Sequence, residues 1–100
     1  MLDGKVAFIT GSGAGIGRAE AVLFAERGAD VIVHDVKADT ANETAALVRA
    51  AGRRAHVIVA DNADVTRMKA EIAGAAAALG PIDILVNNAG ISGHYLPLEE

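Results

Sequence analysis

Cysteine and tryptophan are absent from the chain, proline occurs twice, and aromatic side chains are confined to Phe8, Phe24 and Tyr95. Without cysteine there is no disulfide framework and no thiolate zinc site. So few rings give no stacking platform for nucleic acid bases, and a formal net charge of -4 repels phosphate backbones. Nucleic acid is therefore not an expected partner. No apolar run approaches the ~18 residues that span a bilayer, so no membrane partner is expected either. The chain enters a strand-like segment almost at once, with no basic and apolar leader, and the expectation is a soluble, cytoplasmic protein. Asn42-Glu43-Thr44 has the form of a glycosylation sequon; in that setting it reads as helix surface.

What is present is aliphatic: 52% of the 100 residues are hydrophobic and 22% charged, a globular balance sized for one small domain. Short β-branched runs alternate with longer alanine-rich ones in a βαβαβαβ pattern. Strands are predicted near Val6–Thr10, Asp30–Asp35, Ala55–Ala60 and Ile82–Asn87, rich in Val and Ile as parallel strands buried on both faces require. The first helix is predicted from Gly15 to Arg27, with Ile16, Ala19 and Leu23 on one face and Gly28 as its terminator. A second is predicted to open on a capping box of Thr40 and Glu43 and to end before Gly52. The third is predicted to start at an Asp64 cap and to stop at Leu79, before Gly80-Pro81.

Right-handed crossovers put the first two helices on one face of the sheet and the third on the other. The expected fold class is α/β, a Rossmann-like doubly wound parallel sheet with strand order 3-2-1-4. Strands one and four then end at one crevice, the switch point where such sheets bind ligands.

The turn Thr10-Gly11-Ser12-Gly13-Ala14-Gly15-Ile16-Gly17 lies at that crevice, between the first strand and the first helix. Glycines let backbone approach a ligand, and the helix start aims unpaired N–H groups at negative charge, so the expected ligand is a nucleotide pyrophosphate. The commoner Gly-x-Gly-x-x-Gly spacing fails, because Ile16 stands where its third glycine belongs. The spacing present is Thr-Gly-x-x-x-Gly-x-Gly. Asp35 ends the second strand eighteen residues past Gly17, where a Rossmann unit places an acid for the adenosine ribose hydroxyls. Facing a 2′-phosphate, that carboxylate costs several kcal/mol, so NAD is favoured over NADP; Arg18 and Lys37 are the nearest cations that could offset this. The alternative for Asp35 is a solvated acid at a strand end.

The glycine turn, taken with Asn87-Asn88-Ala89-Gly90 after the fourth strand, resembles the short-chain dehydrogenase/reductase family. That resemblance spans essentially the whole chain and implies an NAD-dependent oxidoreductase that interconverts an alcohol and a ketone. It implies cofactor contacts from Gly11, Ser12, Gly13, Gly15, Ile16 and Gly17, from Asp35, from Asp61 and Asn62 at the adenine, and from Asn88, Ala89 and Gly90 at the nicotinamide ribose. Where the family often has Asp-Val-Thr-Asp, this chain has Asp61-Asn62-Ala63-Asp64, so the acids match and the middle does not. Asp61 or Asp64 could instead cap the third helix, the preferred reading for Asp64. Asn87 is expected to tie adjacent strands. His34 and His56 sit inside strands, without a second ligand at metal spacing, and are assigned neither a function nor a metal; His94 reads as a plain loop residue, with a substrate contact as the alternative.

No catalytic residue is assigned. The family's Tyr-x-x-x-Lys has no counterpart, since Glu99 stands four residues past Tyr95. The expectation is that residues 1–100 form the N-terminal, cofactor-binding part of a single domain, homo-oligomeric in full, with a small alcohol or ketone as substrate. The alternative is a non-catalytic dinucleotide-binding module.

Overall fold

A computed structural model describes residues 1–88. Its elements alternate as β1 (Val6–Thr10), α1 (Gly15–Glu26), β2 (Asp30–Asp35), α2 (Ala38–Ala50), β3 (Ala55–Val59), α3 (Val65–Leu79) and β4 (Ile84–Asn87). Every strand pair is parallel and the order is β3-β2-β1-β4, as right-handed crossovers require. Val6 stands opposite Asp30 in β2, and Ala7 opposite Ile84 in β4. Ala89, Gly90, His94 and Tyr95 lie outside the described residues.

Successive side chains of a strand point to opposite faces, and the core divides accordingly. Ile9, Val31 and Val33 pack with Ala21 and Ala25 of α1 and with Ala41, Ala45 and Val48 of α2. Val6, Phe8, Ile32 and Ile58 pack on the other face with Met68 and Ala75 of α3. Full burial of each such Val or Ile contributes about 1.5–3 kcal/mol. The same alternation carries Asp35 to the α1–α2 side of β2 and His34 to the α3 side.

Three local expectations need correction. In α1 the buried residues are Gly17, Ala21 and Ala25, while Ile16 and Leu23 are 75% and 42% exposed and Ala19 is exposed too. The reason is distance: α1 lies so close to the glycine turn that a Cβ on Gly17 would strike the Gly11 carbonyl oxygen. The buried stripe of α1 is accordingly small, with the half-buried Phe24 packing beside it.

The capping box at Thr40 and Glu43 does not form. The second helix begins at Ala38, Lys37 occupies the cap position without a side-chain bond, and the Thr40 hydroxyl donates to the Lys37 carbonyl at 3.3 Å. Glu43 turns instead to Arg18. Finally, β3 stops at Val59 rather than Ala60, and β4 begins at Ile84 rather than Ile82. There the Asp83 carboxylate takes the Val6 N–H at 2.9 Å, substituting for a ladder bond. Asp64 does cap α3, accepting the Arg67 N–H at 3.1 Å.

Candidate functional site

The C-terminal ends of β1, β2 and β4 meet around the glycine turn. Gly11 and Gly15 both have φ of 60°, a left-handed conformation that glycine adopts at no steric cost. The glycines differ in what surrounds them. A Cβ on Gly13 would meet the Asp35 carboxylate and the Thr40 hydroxyl, and one on Gly17 the Gly11 backbone, so both positions are closed by the protein itself. A Cβ on Gly15 would meet nothing within 4 Å. The open side of the turn is therefore at Gly15, the first residue of α1.

That helix start carries no side-chain cap and no acid in its first turn. Its leading N–H groups face outward with the positive end of the helix dipole behind them, a ready site for an anion. Gly15, the exposed Ile16 and Gly17 form its rim and floor. Ser12, by contrast, is turned inward: its hydroxyl donates to the Ile9 carbonyl at 2.8 Å and accepts the His34 N–H at 3.0 Å, and its own N–H donates to the His34 carbonyl at 2.7 Å. Ser12 is fully buried, with both its hydroxyl and its N–H engaged within the protein.

Asp35 borders the turn. Its Oδ2 accepts the Gly13 N–H at 2.9 Å, and its Oδ1 accepts the Val36 N–H at 2.7 Å. A carboxylate has about four acceptor sites, so capacity remains for hydroxyl donors. Arg18 does not pair with it. The guanidinium reaches the Gly13 carbonyl at 2.6 Å, the Thr44 hydroxyl at 2.9 Å and the Glu43 carboxylate at 2.9 Å, which staples α1 to α2. Lys37 is exposed.

Asp61 and Asn62 lie beyond β3 and are exposed, and Asp61 accepts the Ala63 N–H at 2.9 Å in a tight turn. At the end of β4, the Thr10 hydroxyl donates to Asn87 Oδ1 at 2.9 Å and accepts the Asn88 N–H at 2.9 Å, so Asn87 ties β4 to β1. The Asn88 amide donates to Glu20 of α1 at 2.7 Å. Sequence reasoning missed Glu20, although its position one turn past Gly17 on a helix starting at the crevice was available as a signal. The structure thus gathers Gly11, Gly13, Gly15, Ile16, Gly17, Asp35 and Asn88 at one crevice, with Asp61 and Asn62 on the neighbouring loop. Among the described residues, no group of His, Asp and Glu is arranged to hold a metal ion, and no helix is long and apolar enough to cross a membrane.

Comparison with known proteins agrees with this geometry. The family model described as short chain dehydrogenase matches residues 5–100. The 7alpha-hydroxysteroid dehydrogenase of Escherichia coli K12 is 45% identical over 92 residues, a match covering 92% of this chain and 36% of that protein. A short chain dehydrogenase from Mycobacterium paratuberculosis, solved bound to NAD, superposes with a TM-score of 0.86 at 42% identity over 90% of this chain and 38% of the other. Carveol dehydrogenase from Mycobacterium avium, solved in complex with NAD, gives 0.86 at 36% identity over 89% and 36%. The chain spans about a third of the length of the curated relatives it matches. A strand order of 3-2-1-4, a Thr-Gly-x-x-x-Gly-x-Gly turn over an open helix start, and these matches place the chain in the short-chain dehydrogenase/reductase family.

Proposed function

We propose that residues 1–100 are the cofactor-binding part of a larger NAD-dependent dehydrogenase that interconverts a small alcohol and a ketone. The observation that carries this reading is the cradle at Gly15, a left-handed glycine facing open space at an uncapped helix start, with the acid Asp35 held at its edge. A second sugar-bearing arm would lie along Asn88, Ala89 and Gly90, and the adenine beside Asp61 and Asn62. When bound, NAD supplies a two-electron hydride acceptor or donor. This chain's residues do the holding: the Gly15–Gly17 amides take the pyrophosphate charge, the Asp35 carboxylate takes the adenosine ribose hydroxyls, and Ile16 offers apolar surface.

Preference for NAD over NADP follows from Asp35, which no cation pairs with among the described residues, and from Arg18, whose guanidinium is committed to Glu43, Thr44 and Gly13. Lys37 remains the one nearby cation able to soften the repulsion. Catalytic groups are assigned to residues outside this chain, because acid–base help for the carbinol proton, worth about 10²–10⁴-fold, has no candidate here. A homo-oligomeric, cytoplasmic enzyme is part of the same proposal. Relatives that are themselves dehydrogenases do not favour a non-catalytic dinucleotide module.

The test is calorimetric titration of the full-length protein with NAD and NADP, followed by assay of NAD reduction with a panel of secondary alcohols. Tight NAD binding with at least tenfold weaker NADP, and turnover of one alcohol class, is expected. Tighter NADP binding would overturn the assignment of Asp35, and no binding of either would overturn the reading as a whole.

A further inference from the structure

His34 is 1% exposed and stands between the two loops that the proposed function gives to the dinucleotide. Its Nδ1 lies 3.1 Å from the Gly11 N–H, at the first glycine of the turn, and its Nε2 lies 2.9 Å from the Ala60 carbonyl, immediately before Asp61 and Asn62. The Phe8 ring meets it edge to face, with centroids 6.4 Å apart and planes at 89°. Both polar partners are main chain, so neither can change its role. A backbone N–H only donates, hence Nδ1 must carry a lone pair; a carbonyl only accepts, hence Nε2 must carry the hydrogen. One state of the ring satisfies both, the neutral Nε2–H tautomer. The imidazolium and the other tautomer each set an Nδ1–H against the Gly11 N–H.

We infer that His34 is a positioning residue for the dinucleotide, a strut of fixed length that sets the glycine turn and the 61–64 loop relative to each other. The inference rests on the NAD-binding reading above. Its physical content is that neither loop has another side chain spanning this gap among the described residues. An apolar replacement would leave the half-buried Gly11 N–H and the buried Ala60 carbonyl without these partners, each a cost that a small loop shift could relieve. Such a shift moves the turn beneath the pyrophosphate or the loop beside the adenine. Because the ring faces away from the Asp35 side of β2, it touches no ligand and acts only through the two backbones.

Two substitutions separate the two ends of the strut. In His34→Asn the amide oxygen reaches about as far as Nδ1 and can still accept from Gly11, but nothing reaches Ala60. In His34→Gln the amide nitrogen reaches about as far as Nε2 and can still donate to Ala60, but Gly11 loses its acceptor. Made in the full-length protein, both are expected to raise the dissociation constant for NAD about tenfold. Adenine, which lacks the ribose that Asp35 would hold and so probes the 61–64 loop alone, should weaken with His34→Asn and stay within about twofold with His34→Gln. A residue that merely filled the core would lower the melting temperature in both without that split.

The wild-type tautomer is an independent readout: ¹⁵N NMR of labelled histidine should show a protonated Nε2 and an unprotonated Nδ1 at neutral pH. An imidazolium or an Nδ1–H ring overturns the inference even if neither variant folds. Folded variants that bind NAD within twofold of wild type overturn it also. If wild type binds no NAD but shows the Nε2–H signature, the NAD reading fails and the role assigned to His34 fails with it, while the strut geometry stands.

Discussion

β2 begins and ends with an aspartate, and the two are held in opposite ways. Asp30, at the edge away from the crevice, is 5% exposed and surrounded by cations: it receives the Arg54 N–H at 3.0 Å, the Arg54 guanidinium at 2.8 Å and Arg53 at 3.0 Å. Asp35, at the crevice, receives backbone N–H groups from Gly13 and Val36, and no ion pair forms on it among the described residues. One acid is paired with arginines where it stands; the other has backbone amides as its partners. Paired buried charge fixes the sheet, whereas a carboxylate steadied by amides stays ready to discriminate between ligands. On the proposed reading, stability and recognition occupy opposite ends of a single strand, five residues apart.

The glycines offer the strongest way to break this division. Gly17→Val should unfold or severely destabilise the protein, by more than ~3 kcal/mol, since its Cβ meets the Gly11 backbone and neither can move without lifting α1. Gly15→Val meets only open space and should cost about 1–2 kcal/mol from its left-handed backbone, yet abolish NAD binding by filling the cradle. Thermal melts and calorimetry on the full-length variants read the two effects separately. A Gly17→Val protein melting like wild type, or a folded Gly15→Val protein with unchanged NAD affinity, contradicts the placement of the turn.

Asp30 comes next. Burial by itself pushes its carboxyl up, but the Arg54 backbone and guanidinium bonds and the charges of Arg53 and Arg54 outweigh it and hold the group below the usual value of 3.8. A carboxyl lowered in the folded state adds stability that is present above its unfolded value and is lost as pH falls through the folded one. Acid unfolding should accordingly steepen below about pH 4. Asp30→Asn should flatten that limb and cost about 2 kcal/mol at neutral pH while leaving NAD affinity unchanged. Loss of NAD binding in a folded Asp30→Asn protein would dissolve the contrast between the two ends of β2. Asp35→Ala is the mirror experiment: about tenfold weaker NAD and a narrower gap to NADP.

Much of this was legible in the sequence because it depends on pattern. Runs such as Val31-Ile32-Val33 can only be strands buried on both faces, and handedness then leaves one order for four strands. The glycine spacing located the crevice. What escaped depends on sub-ångström approach rather than pattern. Ile16 and Leu23 look like a buried stripe until the close approach of Gly17 to the Gly11 backbone turns Gly17, Ala21 and Ala25 toward the sheet instead. Thr40 and Glu43 have the letters of a capping box, but Glu43 finds the Arg18 guanidinium, a partner supplied by tertiary structure. His34 reads as a packed strand histidine, and only the positions of Gly11 and Ala60 reveal which ring nitrogen must carry the hydrogen. Glu20 is equally silent until β4 brings Asn88 to it.

The smallest expected effect concerns two neighbouring acids, and it sharpens the same comparison on the adjacent loop. Asp64 accepts the Arg67 N–H as the cap of α3, and that helix has no acid in its first turn to share the dipole. Removing a cap of this kind costs about 1 kcal/mol, and an exposed carboxylate at a helix start adds a few tenths that salt screens away. Asp64→Ala should therefore melt slightly lower, Asp64→Asn should recover most of the loss by keeping the acceptor, and neither should alter NAD affinity. Asp61 is three residues nearer the strand end and follows Ala60, the far anchor of the His34 ring. Among the described residues its carboxylate holds the Ala63 N–H, which leaves acceptor capacity for the adenine edge on the proposed reading. Asp61→Ala should weaken NAD severalfold with a stability change no larger than that at Asp64. If the two alanine variants shift NAD affinity equally, the 61–64 loop does not divide its acids between helix and ligand, and the separation of roles seen along β2 stops at that strand.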